Sequence, residues 1–323
     1  MVGSPAARLR ATAALAEAGL SGLPIERVAS NANEVWFAGP YVLRVCPVPD
    51  GWQLSNEAHI AAHLPAGVPH PTIVASGRTS YGEWLLLERL EGEVLSRAWL
   101  TMREKARTEA MRQLGEALRA LHATPLDEIT DPFGDEDTLE SPHQLPPSRV
   151  LQLLRRADDI PAVDRRLLDA ARTLVFQYRD AVDDGQPEVL VHGDLHFENV
   201  LWDGERVTGL LDLEWSRPGP ADLDLDILLR YCADPTDSRP VDGMAATAAD
   251  LRSVPRLLRD AYPELFAHPR LNDRLAVYCL AYDVRDLLLN RPHGREDDLP
   301  VSHPVRRIRR LVEGRSHLPW MAW

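Results

Sequence analysis

The first part of the chain alternates strand-like apolar runs with turns. Val35-Trp36-Phe37 and Tyr41-Val42-Leu43-Arg44-Val45 are two such runs, separated by Ala38-Gly39-Pro40, which predicts a hairpin. Glu57 to Leu64 reads as a helix ended by Pro65 and the Gly67-Val68-Pro69 segment. Two more strands are predicted around Ile73-Val74-Ala75 and over Glu83-Trp84-Leu85-Leu86-Leu87-Glu88, with Ser80-Tyr81-Gly82 turning between them. Residues 1–90 are therefore expected to form a small antiparallel sheet with one inserted helix.

After Gly92 the period changes. Thr101 to His122 carries Met111, Leu114, Leu118 and Leu121 at helical spacing, a long amphipathic helix. Residues 125–148 are rich in Pro and Asp and read as loop, and Arg149 to Val182 reads as helix again. Short strands follow at Val189-Leu190-Val191, Val200-Leu201-Trp202 and Val207 to Leu213. Helices dominate the remainder, including Ala221 to Tyr231, Val254 to Ala261 and Leu271 to Asn290. The pattern predicts an α+β chain of two lobes, a β-rich lobe over 1–90 and a larger, mainly helical lobe over 91–323.

Charge narrows the functional classes. The 323 residues hold 36 Lys and Arg against 49 Asp and Glu, a net charge of −13. Such a surface repels phosphate backbones and anionic lipid, so neither nucleic acid nor a membrane is expected as partner, and a cationic small molecule fits the sign. Lys105 is the one lysine, so any other cationic role falls to arginine. Cys46, Cys232 and Cys279 are odd in number and set in apolar surroundings, which predicts buried thiols in a reducing, cytoplasmic compartment. No apolar run approaches the roughly 18 residues of a membrane span. The Ala-rich start, Met1 to Leu20, is interrupted by Arg8, Arg10 and Glu17 and predicts a short amphipathic helix rather than a signal peptide.

Residues 180–226 hold 13 acidic side chains against two basic ones, Arg206 and Arg217. Several follow strand-like runs, in His192-Gly193-Asp194-Leu195-His196-Phe197-Glu198-Asn199 and in Leu210-Leu211-Asp212-Leu213-Glu214. Carboxylates converging with an Asn at strand ends make an oxygen-rich site suited to Mg²⁺, whose shell nucleotide phosphates commonly complete.

The His192 to Asn199 segment, followed by a short hairpin and Gly209-Leu210-Leu211-Asp212, resembles the signature of the aminoglycoside phosphotransferase family, small-molecule kinases with a protein-kinase-like fold. Val42 to Val45, Glu57-Ala58 and Leu85 to Gly92 follow that family's N-lobe order. Leu114-Gly115 through Leu121-His122 matches its helix before the catalytic loop, and Gly219 to Leu225 resembles its Gly-Asp-Pro-x-x-Asp-Leu. The resemblance implies a bilobal α+β fold and transfer of the γ-phosphate of ATP or GTP, with Mg²⁺, to a hydroxyl of a small molecule. An aminoglycoside or another cationic or nucleoside-type antibiotic is the implied acceptor, and resistance the implied role.

Residue roles follow from the same resemblance. Asp194 matches the aspartate that accepts or orients the proton of the acceptor hydroxyl; Asn199 and Asp212 match the metal ligands. Arg44 stands where the family has the lysine on the α/β phosphates, with Glu57 as its partner, and its wider guanidinium changes that geometry. Glu88 and Leu90 fall where the linker offers a carbonyl and an N–H to the purine edge, while His192 and Asp224 would support the catalytic loop. Two departures are a displaced acid at Gly219-Pro220-Ala221-Asp222 and a phosphate-covering loop, Ser30-Asn31-Ala32-Asn33, without glycines.

Several residues admit two readings. His192 and His196 have the spacing of a zinc pair, but Gly193 and the flanking strands argue against the helix that such a pair needs. Glu214 either approaches the acceptor or braces the metal shell. Asp283 and Asp286 share a helix face and either bind an acceptor amine or pair with Arg285 and nearby arginines. Trp320 and Trp323 either pack on the helical lobe or line the acceptor site. Rival functions are a metabolic kinase for an amino alcohol, homoserine-like compound or sugar, and a nucleotide-binding pseudoenzyme. Protein kinase activity is disfavoured, since no Ala-Pro-Glu follows Asp212.

Overall fold

A computed structural model of the protein describes residues 4–30, 33–48, 50–133, 139, 141–143, 145–235 and 246–318. By packing, these fall into two units. The first takes in residues up to Thr130 and Val189–Pro218; the second takes in Asp131–Glu188 and residues from Gly219 and from Thr247 onward. The sheet expected over 1–90 thus shares its unit with the next 40 residues and with residues 189–218 of the acidic segment. Trp320 and Trp323 lie outside the described residues, as do Asn31 and Ala32.

The first unit opens with α1 (Pro5–Glu17), whose N-terminus is satisfied by the Ser4 hydroxyl accepting from Ala7 N–H at 3.2 Å. Five strands follow: β1 (Ile25–Val28), β2 (Glu34–Ala38), β3 (Tyr41–Cys46), β4 (Ile73–Thr79) and β5 (Gly82–Glu88), with α2 (Gln53–Ala61) inserted after β3. They form one antiparallel sheet in the order β1-β2-β3-β5-β4. The period of two sorts its side chains. Leu43, Val45, Trp84 and Leu86 pack on one face against Ala7, Ala11, Ala14 and Leu15 of α1, whose small residues allow close approach. Cys46, Leu85 and Leu87 pack on the opposite face with Leu54 of α2. Arg44 lies between Leu43 and Val45 and opposite Leu85, so alternation turns it to the α2 face.

Helix α2 begins four residues before the expected Glu57. Trp52 offers its N-terminus no side-chain cap; the Glu83 carboxylate instead accepts from Leu54 N–H at 3.1 Å and from Ser55 N–H at 3.4 Å. Beyond the sheet come β6 (Glu93–Val94), α3 (Leu95–Thr101) and α4 (Glu104–His122), which buries Met111, Leu114, Leu118 and Leu121 as expected.

In the second unit the expected helix over Arg149 to Val182 is two, α5 (Pro147–Ala157) and α6 (Arg165–Val182). Pro161 lacks the N–H that a continuous helix requires, and Asp164 caps α6 by accepting from Arg166 N–H at 2.9 Å. Back in the first unit, save for the outer ends of the first and last strands, the chain forms β7 (Glu188–Val191), β8 (Val200–Trp202), β9 (Val207–Leu210) and β10 (Arg217–Pro220). Strand β7 pairs with β10, and β8 lies between β6 and β9. Helices α7 (Leu223–Ala233), α8 (Val254–Ala261), α9 (Leu271–Leu289) and α10 (Pro304–Val312) complete the second unit. Helix α9 packs on α5, α6, α7 and α10 and is buried nearly all round. Among the described residues no helix is long and apolar enough to cross a membrane, and all three cysteines are free and buried.

An ion pair ties α9 to the start of α7. Arg274, 1% exposed, donates to Asp222 through Nε at 2.5 Å and Nη2 at 3.1 Å, while Tyr278 donates to the same carboxylate at 3.0 Å. Removing the guanidinium leaves a buried carboxylate without its cation, a loss of about 3–5 kcal/mol. Arg274→Ala is therefore expected to move the denaturant midpoint of the second unit sharply down. An unchanged midpoint would contradict this reading of the pair.

Candidate active site

The acidic segment enters from β7 and turns sharply at Gly193, whose φ of +81° suits glycine. A Cβ there would lie 2.3 Å from the Trp215 carbonyl oxygen, so the two arms of the site pass too close for any side chain. His192 is wholly buried and braces both arms. Its Nδ1 accepts from Asp194 N–H at 3.3 Å, and its carbonyl accepts from the Ser216 hydroxyl at 3.1 Å.

Asp194 and Asn199 close on each other across the loop. The Asn199 amide nitrogen donates to the Asp194 carbonyl at 2.9 Å and lies 3.4 Å from its Oδ2. His196 Nε2 stands 3.5 Å from that same carboxylate. Burial disfavours the charge on Asp194, yet His196, His192 and the Asn199 amide outweigh it and hold the carboxyl below its usual range. The reciprocal effect raises His196, again against burial, through Asp194 first and then Asp212 and Glu198. Among the described residues neither His192 nor His196 belongs to a set of three converging metal-ligating side chains. The zinc reading of the pair finds no support in this geometry.

Asp212 follows β9 and sits at φ 64°, ψ 50°, the one non-glycine at positive φ among the described residues. A left-handed conformation costs such a residue about 1–2 kcal/mol, and active sites are where that strain collects. The turn is held from behind. Leu211 N–H donates to the Asn199 carbonyl at 2.8 Å, which sets Asp212 beside the catalytic-loop candidates. The Asn56 amide of α2 donates to the carbonyls of Glu214 and Ser216, each at 3.0 Å.

Arg44 joins these pieces. Its Nη1 is bonded to Glu57 of α2, and its Nη2 to both Asp212 and Glu214, the latter at 2.8 Å. Burial opposes the arginine's charge, but Asp212, Glu57 and Glu214 together bind its proton more tightly still. One guanidinium does not neutralise three carboxylates. The surplus falls on Glu214, whose pKa is pushed up to about 8 by burial and then by Asp212, with Arg44 opposing. Glu57 goes the other way, below its usual range despite burial, through Arg44 and through His70 at 3.5 Å.

Asn199 and Asp212 suit a hard cation. With the Asn199 nitrogen engaged by Asp194, its amide oxygen is left as a ligand atom, and carboxylate and amide oxygens are the donors Mg²⁺ takes. Glu214 is buried, bonded to Arg44 at 2.8 Å and to the Asn33 amide at 2.7 Å. Glu88 and Leu90 follow at the end of β5, where Glu88 N–H is already given to the Thr72 carbonyl at 2.9 Å.

Three predicted residues lie in the second unit. Asp224 is buried in the first turn of α7. Asp283, 2% exposed, accepts from Arg230 at 2.8 Å and Arg307 at 2.7 Å, and Asp286 accepts from Arg307 at 2.6 Å. Their carboxylates are taken by arginines, the ion-paired alternative, although Arg285 is not the partner: it donates to the Leu139 carbonyl. Sequence reasoning missed Asn56 and His70, which hold the acidic turn and Glu57; the one signal was the polar pair Asn56-Glu57 on an otherwise apolar helix face.

A family model described as "Phosphotransferase enzyme family" matches residues 23–259. An aminoglycoside 3'-phosphotransferase of Streptomyces fradiae is 30% identical over 191 residues, 57% of this chain. The match spans 65% of that relative's own length, slightly under two thirds. Among solved structures, the GDP and kanamycin complex of APH(2") superposes with a TM-score of 0.63 at 16% identity, over 95% of this chain and 98% of that one. An ADP-bound aminoglycoside phosphotransferase, APH(2'')-Ib, gives a TM-score of 0.62 at 14% identity, over 92% and 95%. At these identities the likeness speaks for the fold: α+β and protein-kinase-like, as expected.

The close approach at Gly193 supplies a test. Gly193→Ala brings its methyl against the Trp215 carbonyl and loses glycine's tolerance of positive φ. The variant is expected to lose more than about 1–2 kcal/mol of stability, read by thermal unfolding. Wild-type stability would mean that the two arms of the site are not held this closely.

Proposed function

The chain belongs to the phosphotransferase enzyme family, and from that premise we propose that it moves the γ-phosphoryl group of ATP or GTP to a hydroxyl of a small cationic antibiotic of the aminoglycoside type. The observation that carries this reading is the placement of Asp194, Asn199 and Asp212 around one loop, with Arg44 bonded to Asp212.

Asp194 is the catalytic residue. Its carboxyl is held ionised, so it is ready to accept a hydrogen bond from the acceptor hydroxyl and to take the proton as the new O–P bond forms. The bond from the γ-phosphorus to the bridging oxygen breaks, and the nucleoside diphosphate leaves. His196 and the Asn199 amide keep Asp194 in place and charged, and Gly193 and His192 fix the loop that presents it.

Asn199 and Asp212 would hold Mg²⁺, which when bound neutralises charge on the donor phosphates. Arg44 supplies positive charge to the phosphates and is itself held by Glu57. The Glu88 carbonyl and Leu90 N–H would meet the purine edge. A cytoplasmic setting agrees with the three free thiols.

Two similarities support the acceptor class: the Streptomyces fradiae relative is named for aminoglycosides, and the APH(2") structure holds kanamycin. The chain's net charge of −13 favours a polycationic ligand on approach. Phosphorylating a drug hydroxyl would block its recognition, which makes resistance the physiological role.

Asp194→Asn tests the assignment. It removes the proton acceptor but keeps the shape, so turnover is expected to fall by about 10²–10⁴ while nucleotide affinity stays within a few-fold. Nucleotide release with an aminoglycoside acceptor, together with equilibrium binding, reads both. Turnover near wild type would remove Asp194 from the mechanism.

A further inference from the structure

We propose that the second unit carries a zinc site formed by Asp226, Cys279 and His317, with His143 as its outer partner. Three separate pieces of chain supply the donors: α7, α9 and the segment after α10. Their ligand atoms all lie within 4.8 Å of one another. One thiol, one imidazole and one carboxylate form a donor set that suits zinc and does not suit Mg²⁺.

The distances agree with one metal centre. Cys279 Sγ and His317 Nε2 are 3.6 Å apart. With Zn–S about 2.3 Å and Zn–N about 2.0 Å, that separation subtends about 110° at the metal, close to tetrahedral. Cys279 Sγ and Asp226 Oδ1 stand closer, at 2.7 Å, the geometry of an S–H donating to a carboxylate. Zinc would take the place of that thiol proton: the proton leaves to solvent, the thiolate and Oδ1 both bind the ion, and the carboxylate draws back by under about 1 Å.

The carboxylate is built for one-oxygen ligation. Its Oδ2 is held by His143 Nε2 at 2.8 Å and by Arg230 Nε at 3.1 Å, which leaves Oδ1 on the thiol side. A histidine fixing the second oxygen of a ligating carboxylate is the kind of outer contact that orients metal ligands. Arg230 also donates to the Cys279 carbonyl at 2.7 Å, so α7 and α9 are already locked at the right spacing. Asp226 and Cys279 are buried and His317 is partly exposed, which gives an ion a way in from one side. A site so placed would pin the segment after α10 to the buried helix α9.

None of the three residues serves the phosphoryl-transfer reading, so the test is independent of it. Full-length protein stripped with chelator is titrated with Zn²⁺ against a chromophoric competitor in excess Mg²⁺, and separately with Co²⁺ as a spectroscopic probe. The wild type is expected to bind one zinc per chain and, with cobalt, to give a thiolate-to-cobalt charge-transfer band. Cys279→Ser and His317→Ala should each weaken binding by more than about 100-fold, beyond the loss of an outer partner, and Cys279→Ser should abolish the band. Cys232→Ala, a buried cysteine outside the cluster, should change neither. His317→Ala alters a partly exposed residue, so its far-UV circular dichroism should match wild type. Absence of stoichiometric zinc binding in the wild type, or binding that survives both ligand variants, would overturn the proposal.

Discussion

The first unit is organised around a single buried cation that three carboxylates must share. Arg44 reaches Glu57 with one nitrogen and Asp212 and Glu214 with another, drawing β3, α2 and the turn after β9 to one point. Breaking such a cluster by removing one partner is costly, because the remaining charges stay buried. The constraint also suits the geometry of an arginine side chain. A compact ammonium has no fork with which to span two elements, whereas the guanidinium does. The same cluster keeps an excess of negative charge beside Asp194 and Asn199, the electrostatic setting in which a divalent cation and its phosphates would be bound. Strain at Asp212 belongs to the same account: its left-handed backbone is held by Leu211 and Asn56 contacts on either side.

Local patterns made much of this legible. The apolar run Tyr41 to Val45 marked β3, and strand geometry then turns Arg44 away from the face of Leu43 and Val45. The spacing of Asp194 and Asn199 lies within one loop, and their mutual hydrogen bond is a five-residue contact. Features fixed by distant chain were not legible. The start of α2 depends on Glu83, 29 residues from Leu54, so no cap signal appears beside it. The two contacts that hold Glu214, from Asn33 and Arg44, span 181 and 170 residues. Asp283 and Asp286 offered two readings because their arginine partners, Arg230 and Arg307, come from other helices. In contrast, the break between α5 and α6 had local marks, Pro161 and Asp164, that an unbroken helix over Arg149 to Val182 overlooks.

The second unit uses buried charge differently. Arg274 with Asp222, and Arg230 and Arg307 with Asp283, fasten α9 to its neighbours at a few points within an otherwise apolar interior. Contacts of this kind give register to a helix that is buried nearly all round. Asp226 extends the pattern to Cys279 and, through the sulfur, toward His317.

The most direct test of the central claim is mass spectrometry of an aminoglycoside incubated with the protein, Mg²⁺ and either ATP or GTP. The account predicts a product heavier by one phosphoryl group on a hydroxyl, formed with at least one of the two donors and absent when the protein carries Asp194→Asn. Unmodified drug with both donors across a panel of aminoglycosides, from protein shown to bind nucleotide, would contradict the acceptor assignment.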